Sequence, residues 1–398
     1  MSLIPPLLRQ ASYQILSRDV PAYHRFLFER LNPNEQMMGL QGARGAGKTT
    51  LLLQLAHHTQ LPVDEILYLS CDHPALVDVS LYAIAQTFYQ EGGKLLLLDE
   101  VHRVKDFAKE LKAVRDTFDL QVWFSGSSAI QLSLGSADLS RRAVIYQVPA
   151  LSFREFIEIE TGEAFPAMSL QEIIENPVTQ AIKVTTRIRP LAYLKRYQEY
   201  GAYPYYLESK ETYPQKLLSV INYTIEADLP TLFHLDPKKT DKLKKMLYML
   251  CTTPPLEINK SKLSGALETS WPTVSKYIEV LEKAELVVQV RGGTGMRTMN
   301  KADKLLLSHA NVFHCMCAQP DVGSLRESFF VSHLKQSHQV HYHDQGDFKI
   351  DDRWIFEVGG PGKTNAQIKS LDNAYVVKDG IEVGESKEIP LWLLGFLY

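Results

Sequence analysis

The chain has 398 residues, more than one ordinary hydrophobic core accommodates, so two or more domains are expected. Its 45% hydrophobic and 22% charged residues are typical of a globular protein, and the net charge of −3 excludes an overall basic surface for nucleic acid while permitting a local patch. No apolar run approaches the ~20 residues of a membrane span, so the sequence predicts a cytoplasmic protein without a membrane partner.

Short apolar runs alternate with helical stretches between residue 36 and about residue 160. This alternation predicts a parallel sheet covered by helices, which is an α/β fold. Because each run is continuously apolar, we expect the strands to be buried on both faces. The predicted strands are 37–40, 66–69, 95–98, 121–124 and 144–148.

The pattern becomes helical from about residue 151 to residue 235, which predicts a lid of helices after the sheet. Three helices and a β-hairpin are predicted next, in the order of a winged helix-turn-helix. These elements are a helix from Lys242, helices over 260–267 and 271–284, and two strands over 286–297 around Gly292, Gly293 and Gly295. The last stretch, 324–398, mixes helical and strand patterns.

The four cysteines, Cys71, Cys251, Cys315 and Cys317, are scattered apart from one C-x-C pair. That spacing is too short for a usual zinc site. Because cytosolic thiols are kept reduced, we expect these cysteines to be reduced and buried.

A glycine-rich loop directly follows the first predicted strand. Residues 42–49 satisfy G-x-x-x-x-G-K-[ST], and an amphipathic helix is predicted from Thr50. Backbone N–H groups of such a loop surround nucleotide phosphates at the positive end of the helix dipole. Lys48 is expected to reach the β- and γ-phosphates, and Thr49 to hold Mg²⁺. The expected ATP-binding residues are Gly42, Ala43, Arg44, Gly45, Ala46, Gly47, Lys48, Thr49, Thr50 and Asp99.

Two carboxylates follow the third predicted strand. Asp99 and Glu100 fall at the carboxyl edge of the sheet, where ligands bind in open α/β folds. We expect Asp99 to hold the metal ion together with Thr49, and Glu100 to orient and deprotonate the attacking water. The alternative, that both acids cap a helix, leaves the glycine-rich loop without a metal partner.

Polar and basic residues follow the fourth strand and precede the fifth. Ser127 and Ser128 are placed to touch the γ-phosphate or the water, although Ser/Gly turns also link strands to helices. Arg141 and Arg142 are placed to neutralise transition-state charge in a neighbouring subunit, although paired arginines are also common as solvated charges. The candidate catalytic residues are therefore Glu100, Lys48, Ser127, Ser128, Arg142 and Arg141.

These residues resemble the AAA+ ATPases that carry a C-terminal domain known as DUF4143. The resemblance covers 42–49, 98–102, 125–128, 139–142, the string LSFREF at 151–156 and the string GAYP at 201–204. It implies an ATP hydrolase that assembles into homo-oligomers, with its sensor at Ser127 or Ser128 and its arginine finger at Arg142. The family often has Gly-Arg where this chain has Arg141 and Arg142. The lid arginine that senses nucleotide stays open among Arg187, Arg189 and Arg196.

The resemblance also implies a C-terminal domain similar to PD-(D/E)xK nucleases. Glu327, Asp347 and Glu357 match the carboxylates of that pattern, and three carboxylates at one sheet edge bind Mg²⁺ for phosphodiester cleavage. The lysine expected two residues after Glu357 is Gly359, so either Lys363 takes its place or the nuclease site has decayed. The expected domains are an ATPase core over 1–160, a helical lid over 161–236, a winged helix over 237–300 and a small nuclease-like α+β domain over 301–398.

The predicted winged helix has features of a double-stranded DNA reader. Ser270 is a good N-cap for its third helix, which presents Lys276 and Glu279, and the wing carries Arg291 and Arg297. Basic wings contact phosphate, whereas other winged helices serve as packing or dimerisation modules.

Three functions follow as hypotheses. The first is an AAA+ switch or motor that hydrolyses ATP with Mg²⁺ to drive conformational change, acting on DNA or on a protein. The second is a nucleotide-dependent DNA-binding regulator with a slow ATPase. The third is an ATP-gated nuclease.

Overall fold

The computed structural model describes residues 4–77, 79–127, 139–233, 235–252, 256–292 and 303–398. The chain forms two compact units, Met1–Pro149 and Ala150–Tyr398. Within the described ranges, no helix is both long enough and apolar enough to cross a membrane. The finer division into four domains stays a prediction.

The first unit is built on a five-stranded sheet whose paired strands all run parallel, in the order β2-β3-β4-β1-β5. The α/β class and the five strands were predictable because each strand is a short, largely apolar run. The strands are β1 Met37–Gln41, β2 Ile66–Ser70, β3 Leu95–Asp99, β4 Gln121–Gly126 and β5 Val144–Gln147.

Helices cover both faces of this sheet. Alternate strand residues point to opposite faces, so Leu96 and Leu98 pack into one buried cluster and Leu95 and Leu97 into another. The first cluster includes residues of α3 and α4, and the second includes residues of α2. The helices are α1 Pro6–Leu16, α2 Lys48–His58, α3 Leu81–Gln90 and α4 Phe107–Thr117.

The fifth strand departs from the expectation of burial on both faces. Strands β1 and β3 are buried throughout, whereas Val144 and Gln147 of β5 are exposed. Strand β5 lies at the edge of the sheet and pairs only with β1 among the described strands. Apolar composition does not distinguish an edge strand from a central one, which explains the error.

The second unit is largely helical in its first half. Helix α5 begins with a capping box in which Ser152 accepts from the Glu155 N–H and Glu155 accepts from the Ser152 N–H. The N–H of Leu151 donates to the Ala202 carbonyl at 2.8 Å, so the LSFREF and GAYP strings meet. The helices of this half are α5 Phe153–Thr161, α6 Leu170–Glu175, α7 Pro177–Thr185, α8 Pro190–Tyr200, α9 Tyr213–Tyr223 and α10 Leu229–Phe233.

Three helices and a small antiparallel sheet follow, with strand order β6-β8-β7. Strand β7 pairs with a strand that begins at Lys304, and the second strand predicted within 286–297 falls on residues that are not described. Gly293, Gly295 and Arg297 lie outside the described residues. The elements are α11 Thr240–Thr252, β6 Leu256–Glu257, α12 Lys260–Ala266, α13 Trp271–Lys283, β7 Val287–Val290 and β8 Lys304–Leu307.

The C-terminal part carries a mixed five-stranded sheet in the order β13-β12-β11-β10-β9. The N–H of Tyr342 donates to the Arg291 carbonyl at 2.9 Å, and Gly292 and Tyr342 form a parallel bridge, so the small sheet and the mixed sheet share backbone pairing. The elements are α14 Ala310–Met316, α15 Val322–Leu334, β9 Val340–Tyr342, β10 Phe348–Ile350, β11 Trp354–Gly359, β12 Ala374–Lys378 and β13 Glu388–Pro390.

Two of the cysteines depart from the expectation of reduced thiols. Cys251, in α11, and Cys317, which follows α14, form a disulfide. Cys71 is a buried free thiol and Cys315 is a partly buried one. The pairing was not predictable because 66 residues separate the two cysteines in the sequence.

Candidate functional site

The carboxyl ends of β1, β3 and β4 meet at one edge of the first sheet, because β4 lies between β1 and β3. In the pairing register, Leu40 lies beside Ser125 and Leu98 lies beside Phe124. The residues that follow β1 and β3 therefore flank the end of β4. This edge is where open α/β sheets bind ligands.

The glycine-rich loop connects β1 to α2, and its glycines have structural reasons. Gly45 and Gly47 have φ values of 86° and 92°, a region that favours glycine. A side chain at Gly42 would collide with the backbone carbonyl of Val148. The loop therefore adopts a backbone path that other residues would not tolerate. Among the remaining predicted contacts, Ala43 and Ala46 are buried, and Arg44, Thr49 and Thr50 are partly buried.

Lys48 is folded back over this loop. Its Nζ donates to the carbonyls of Gly42 at 3.0 Å and of Ala43 at 2.9 Å, and only 5% of the residue is exposed. The ammonium group is thus held above the loop, where phosphate oxygens would compete with the carbonyls for it.

Arg25 also contacts the glycine-rich loop, and no sequence pattern indicated this residue. Its Nη1 donates to the Ala46 carbonyl at 2.9 Å and to the Pro149 carbonyl at 2.7 Å, and the residue is buried. A buried guanidinium bonded to backbone carbonyls fixes the end of the loop relative to the segment that follows β5.

Asp99 is the centre of a hydrogen-bond network formed by three strands and a helix. Its Oδ2 accepts from the hydroxyls of Thr49 at 2.7 Å and Tyr68 at 2.8 Å, and its Oδ1 accepts from the Ser125 hydroxyl. Burial, together with the Asp99 charge, raises the pKa of Tyr68, so its hydroxyl stays a donor. Sequence reasoning missed Tyr68, whose only signal was a polar atom in an apolar strand, and it did not predict that Ser125 contacts Asp99.

Glu100 follows in a left-handed conformation, with φ of 55°. Its N–H donates to the Ser125 hydroxyl at 3.1 Å, and its Oε2 lies 3.4 Å from Nδ1 of His102. Left-handed backbone in a residue other than glycine stores strain and occurs often at active sites. The turn places the two adjacent carboxylates, Asp99 and Glu100, in different directions and surroundings.

His102 is a neutral neighbour of Glu100. Burial lowers the pKa of His102 to about 3, with the Arg103, Lys48 and Arg44 charges acting in the same direction. The N–H of Ser127 donates to its Nδ1 at 3.4 Å. The ring therefore connects the Glu100 turn to the end of β4 without adding charge.

The oxygen atoms at this edge fit a magnesium ion. Mg²⁺ prefers oxygen ligands and is usually held by one or two protein groups together with substrate phosphates. The Thr49 hydroxyl and the Asp99 carboxylate lie 2.7 Å apart beside the glycine-rich loop. These two residues are therefore the ones that would hold the ion.

The remaining catalytic candidates lie near the same sheet. Ser127 immediately follows β4, and Ser128 lies outside the described residues. Arg142 forms a two-bond ion pair with Asp116 of α4, with Nε–Oδ1 2.7 Å and Nη2–Oδ2 3.0 Å, and a quarter of its side chain is exposed. Hydrogen bonding to Arg142 lowers the pKa of Asp116. Arg141 ends the short helical turn before Arg142.

The three lid arginines left open by the sequence line one cleft of about 550 Å³ in the second unit. Arg187 pairs with Glu163, Arg196 lies over the Tyr193 ring at 5.5 Å, and Arg189 precedes helix α8. Their shared position does not select one of them as the nucleotide sensor.

The three C-terminal carboxylates also come together, but lysines accompany them. Glu327 lies on α15, Asp347 precedes β10, and Glu357 lies on β11. The Lys304 Nζ contacts both Glu327 and Asp347, and Lys363 pairs with Glu357. No group of three or more His, Cys, Asp or Glu side chains in the described part of the chain is arranged to hold a metal ion. Because two ammonium groups pair with the three carboxylates, the residues as placed do not fit the metal centre that the nuclease resemblance implies.

Two families match separate parts of the chain. Residues 34–157 match the family described as AAA domain. Residues 191–319 match a domain of unknown function, DUF8612. The expected DUF4143 domain is therefore not confirmed.

Curated relatives and solved structures were also found. An uncharacterized protein of Methanocaldococcus jannaschii is 26% identical over 96% of this chain and 86% of its own length. An uncharacterized protein of Haemophilus influenzae is 26% identical over 63% of this chain and 61% of its own length.

Among solved structures, AMPPCP-bound DnaA from Aquifex aeolicus is 15% identical over 71% of this chain and 90% of its own, with a TM-score of 0.27. The Hsp104–ADP complex of S. cerevisiae is 16% identical over 70% of this chain and 38% of its own chain, with a TM-score of 0.25. The family match and the site geometry agree that residues 34–157 contain an AAA-type P-loop domain, a nucleotide-binding ATPase domain.

Proposed function

We propose that this protein hydrolyses ATP with Mg²⁺ and uses the reaction to drive conformational change, acting on duplex DNA or on a protein partner. The observation that carries the proposal is the contact between Thr49 and Asp99, which joins the glycine-rich loop to the carboxylate strand at 2.7 Å. ATP is the substrate of the proposed reaction, and this favours the cytoplasm as the location of the protein.

Each residue at the edge of the first sheet has a separate task in the proposal. Lys48 neutralises the β- and γ-phosphates, and the loop N–H groups bind their oxygens. Thr49 and Asp99 hold the ion, which supplies positive charge to the phosphate oxygens. Glu100 takes the proton of the attacking water, and the Ser125 hydroxyl bonded to its N–H fixes the turn.

The proposal is completed by a second copy of the chain. Arg142, with Arg141 as the alternative, would enter the neighbouring nucleotide site, and Ser127 or Ser128 would sense the γ-phosphate. The Arg142–Asp116 ion pair supports this role because it orients a guanidinium that is still partly exposed. ATP-dependent homo-oligomers are therefore expected.

Replacing Arg142 with alanine is expected to lower ATP turnover about a hundredfold while leaving ATP affinity nearly unchanged. That factor is typical of losing one donor to transition-state charge. Steady-state hydrolysis and nucleotide titration measure the two quantities. Lys109→Ala is the matched control, because Lys109 is an exposed cation of the same unit whose ion pair is with Asp106. Undiminished turnover in Arg142→Ala would leave Arg142 as a surface charge.

We interpret the three helices α11–α13 and the β6-β8-β7 sheet as a winged helix, and we propose that this part of the chain contacts the partner. Ser275, Lys276 and Glu279 are exposed on α13, and Arg291 is exposed after β7. This polar face supports contact with duplex DNA. The Glu279–Lys283 ion pair reduces its positive character and suits a protein partner equally well.

The proposal is tested by steady-state ATP hydrolysis with and without Mg²⁺ and duplex DNA, together with molecular mass with and without ATP. Mg²⁺-dependent turnover and an ATP-dependent increase in mass are expected. Turnover that DNA raises would identify DNA as the partner, and indifference to DNA would favour the protein partner. Absence of hydrolysis in every condition contradicts the proposed activity.

A further inference from the structure

A buried lysine stands where the nuclease-like centre would hold a metal ion. Lys304 is 7% exposed, and its Nζ lies 3.2 Å and 3.1 Å from the two carboxylate oxygens of Glu327. The same Nζ lies 3.4 Å from Oδ1 of Asp347. One ammonium group thus contacts two of the three carboxylates that the nuclease pattern requires.

The surroundings hold this ammonium group in place. The rings of Tyr342 and Phe348 have their centroids 5.2 Å and 5.1 Å from the Lys304 Nζ, a distance at which aromatic faces attract cations. The other carboxylate oxygen of Asp347 accepts from the Val358 N–H at 2.8 Å. Lys304 therefore has favourable partners on several sides, and both oxygens of Asp347 are engaged.

The third carboxylate has its own cation. Lys363 pairs with Glu357, and its aliphatic part lies against Gly359, where an added Cβ would come within 2.6 Å of Lys363 Cγ. The cluster contains three acidic and two basic side chains. A divalent ion bound to Glu327 and Asp347 would need oxygen distances near 2.0–2.6 Å. It would have to displace the ammonium group of Lys304, because two cations at such distances repel strongly.

We infer that the ammonium group of Lys304 replaces a divalent cation at this carboxylate cluster, which makes the cluster a structural ion-pair centre with no metal-dependent cleavage. Lys304 begins β8 of the small sheet, whereas Asp347 directly precedes β10 and Glu357 lies on β11 of the mixed sheet. The ion pairs therefore join the two sheets by charge at a position where a nuclease would hold its catalytic metal. Removing the lysine charge exposes a latent cation site.

The test measures the binding of Mn²⁺ to nucleotide-free protein. Calorimetric titration detects the binding itself, and the thermal midpoint of unfolding detects stabilisation by Mn²⁺. Wild type is expected to show no saturable Mn²⁺ binding at this cluster. Lys304→Met removes the charge while keeping an unbranched apolar stem, and it is expected to gain one Mn²⁺ site and to be stabilised by Mn²⁺. Adding Glu327→Gln to that variant is expected to remove the new site.

Lys349→Met is the matched control, because Lys349 lies on β10 and its ion pair is with Asp352, which is not one of the three carboxylates of the cluster. It should bind no additional Mn²⁺. A folded Lys304→Met variant that gains no Mn²⁺ site would overturn the inference. If that variant does not fold, wild type alone decides: Mn²⁺ binding or Mn²⁺-dependent DNA cleavage that Glu357→Ala abolishes would also overturn it, and their absence supports it.

Discussion

Nucleotide binding is expected to weaken about a thousandfold when Lys48 is replaced by alanine. The ammonium group is buried and donates to two backbone carbonyls of the loop. It is therefore already placed to bind phosphate without a large rearrangement. Removing one partner of a buried charge pair costs roughly 2–5 kcal/mol, and about 4 kcal/mol corresponds to a thousandfold change in the dissociation constant. Calorimetric titration with ATP and Mg²⁺ measures the loss.

Lys109→Ala is the control for this prediction. Lys109 lies on α4 of the same unit, and 79% of its side chain is exposed. Its replacement should leave ATP affinity within about twofold, because exposed charges contribute little to binding at a distance. Equal affinity of Lys48→Ala and wild type, with unchanged thermal stability, would remove the phosphate-loop assignment.

Replacing Glu100 with glutamine is expected to lower ATP turnover about a thousandfold or more and to leave ATP bound. Glutamine keeps the size of the side chain but does not accept the proton of the attacking water, and general-base catalysis contributes about 10²–10⁴-fold. The turn itself should persist, because the Ser125 hydroxyl bonds the backbone N–H of residue 100. Single-turnover hydrolysis and retained nucleotide measure the two effects.

Glu29→Gln serves as the matched control, since Glu29 is an exposed carboxylate in the same unit. It should hydrolyse ATP at the wild-type rate. Normal turnover in Glu100→Gln would contradict the general-base role and would direct attention to another acceptor near Ser125.

The parts of the first unit that could be predicted from sequence are those encoded by neighbouring residues. The glycine-rich loop, Lys48 and Thr49 form one continuous string, and Asp99 directly follows a recognisable strand. The contacts of Tyr68 and Ser125 with Asp99 were missed because they depend on which strands lie side by side. That order, β2-β3-β4-β1-β5, is a tertiary property that no local pattern contains.

The second unit was harder to predict for the same reason. Glu327, Asp347 and Glu357 were found through a resemblance, whereas Lys304 is 23 residues from Glu327 and 43 from Asp347 and belongs to no motif. The strand that pairs with β7 and begins at Lys304 was not predicted, because the glycines after β7 suggested a tight turn. A cation that fills an acidic cluster becomes visible only once the two sheets are assembled.

The shared backbone pairing of Arg291, Gly292 and Tyr342 gives the second unit a mechanical property. Sliding one sheet past the other would break main-chain hydrogen bonds and separate Lys304 from its carboxylates at the same time. A displacement of the small sheet would therefore carry the mixed sheet with it, so that the two sheets would move as one body.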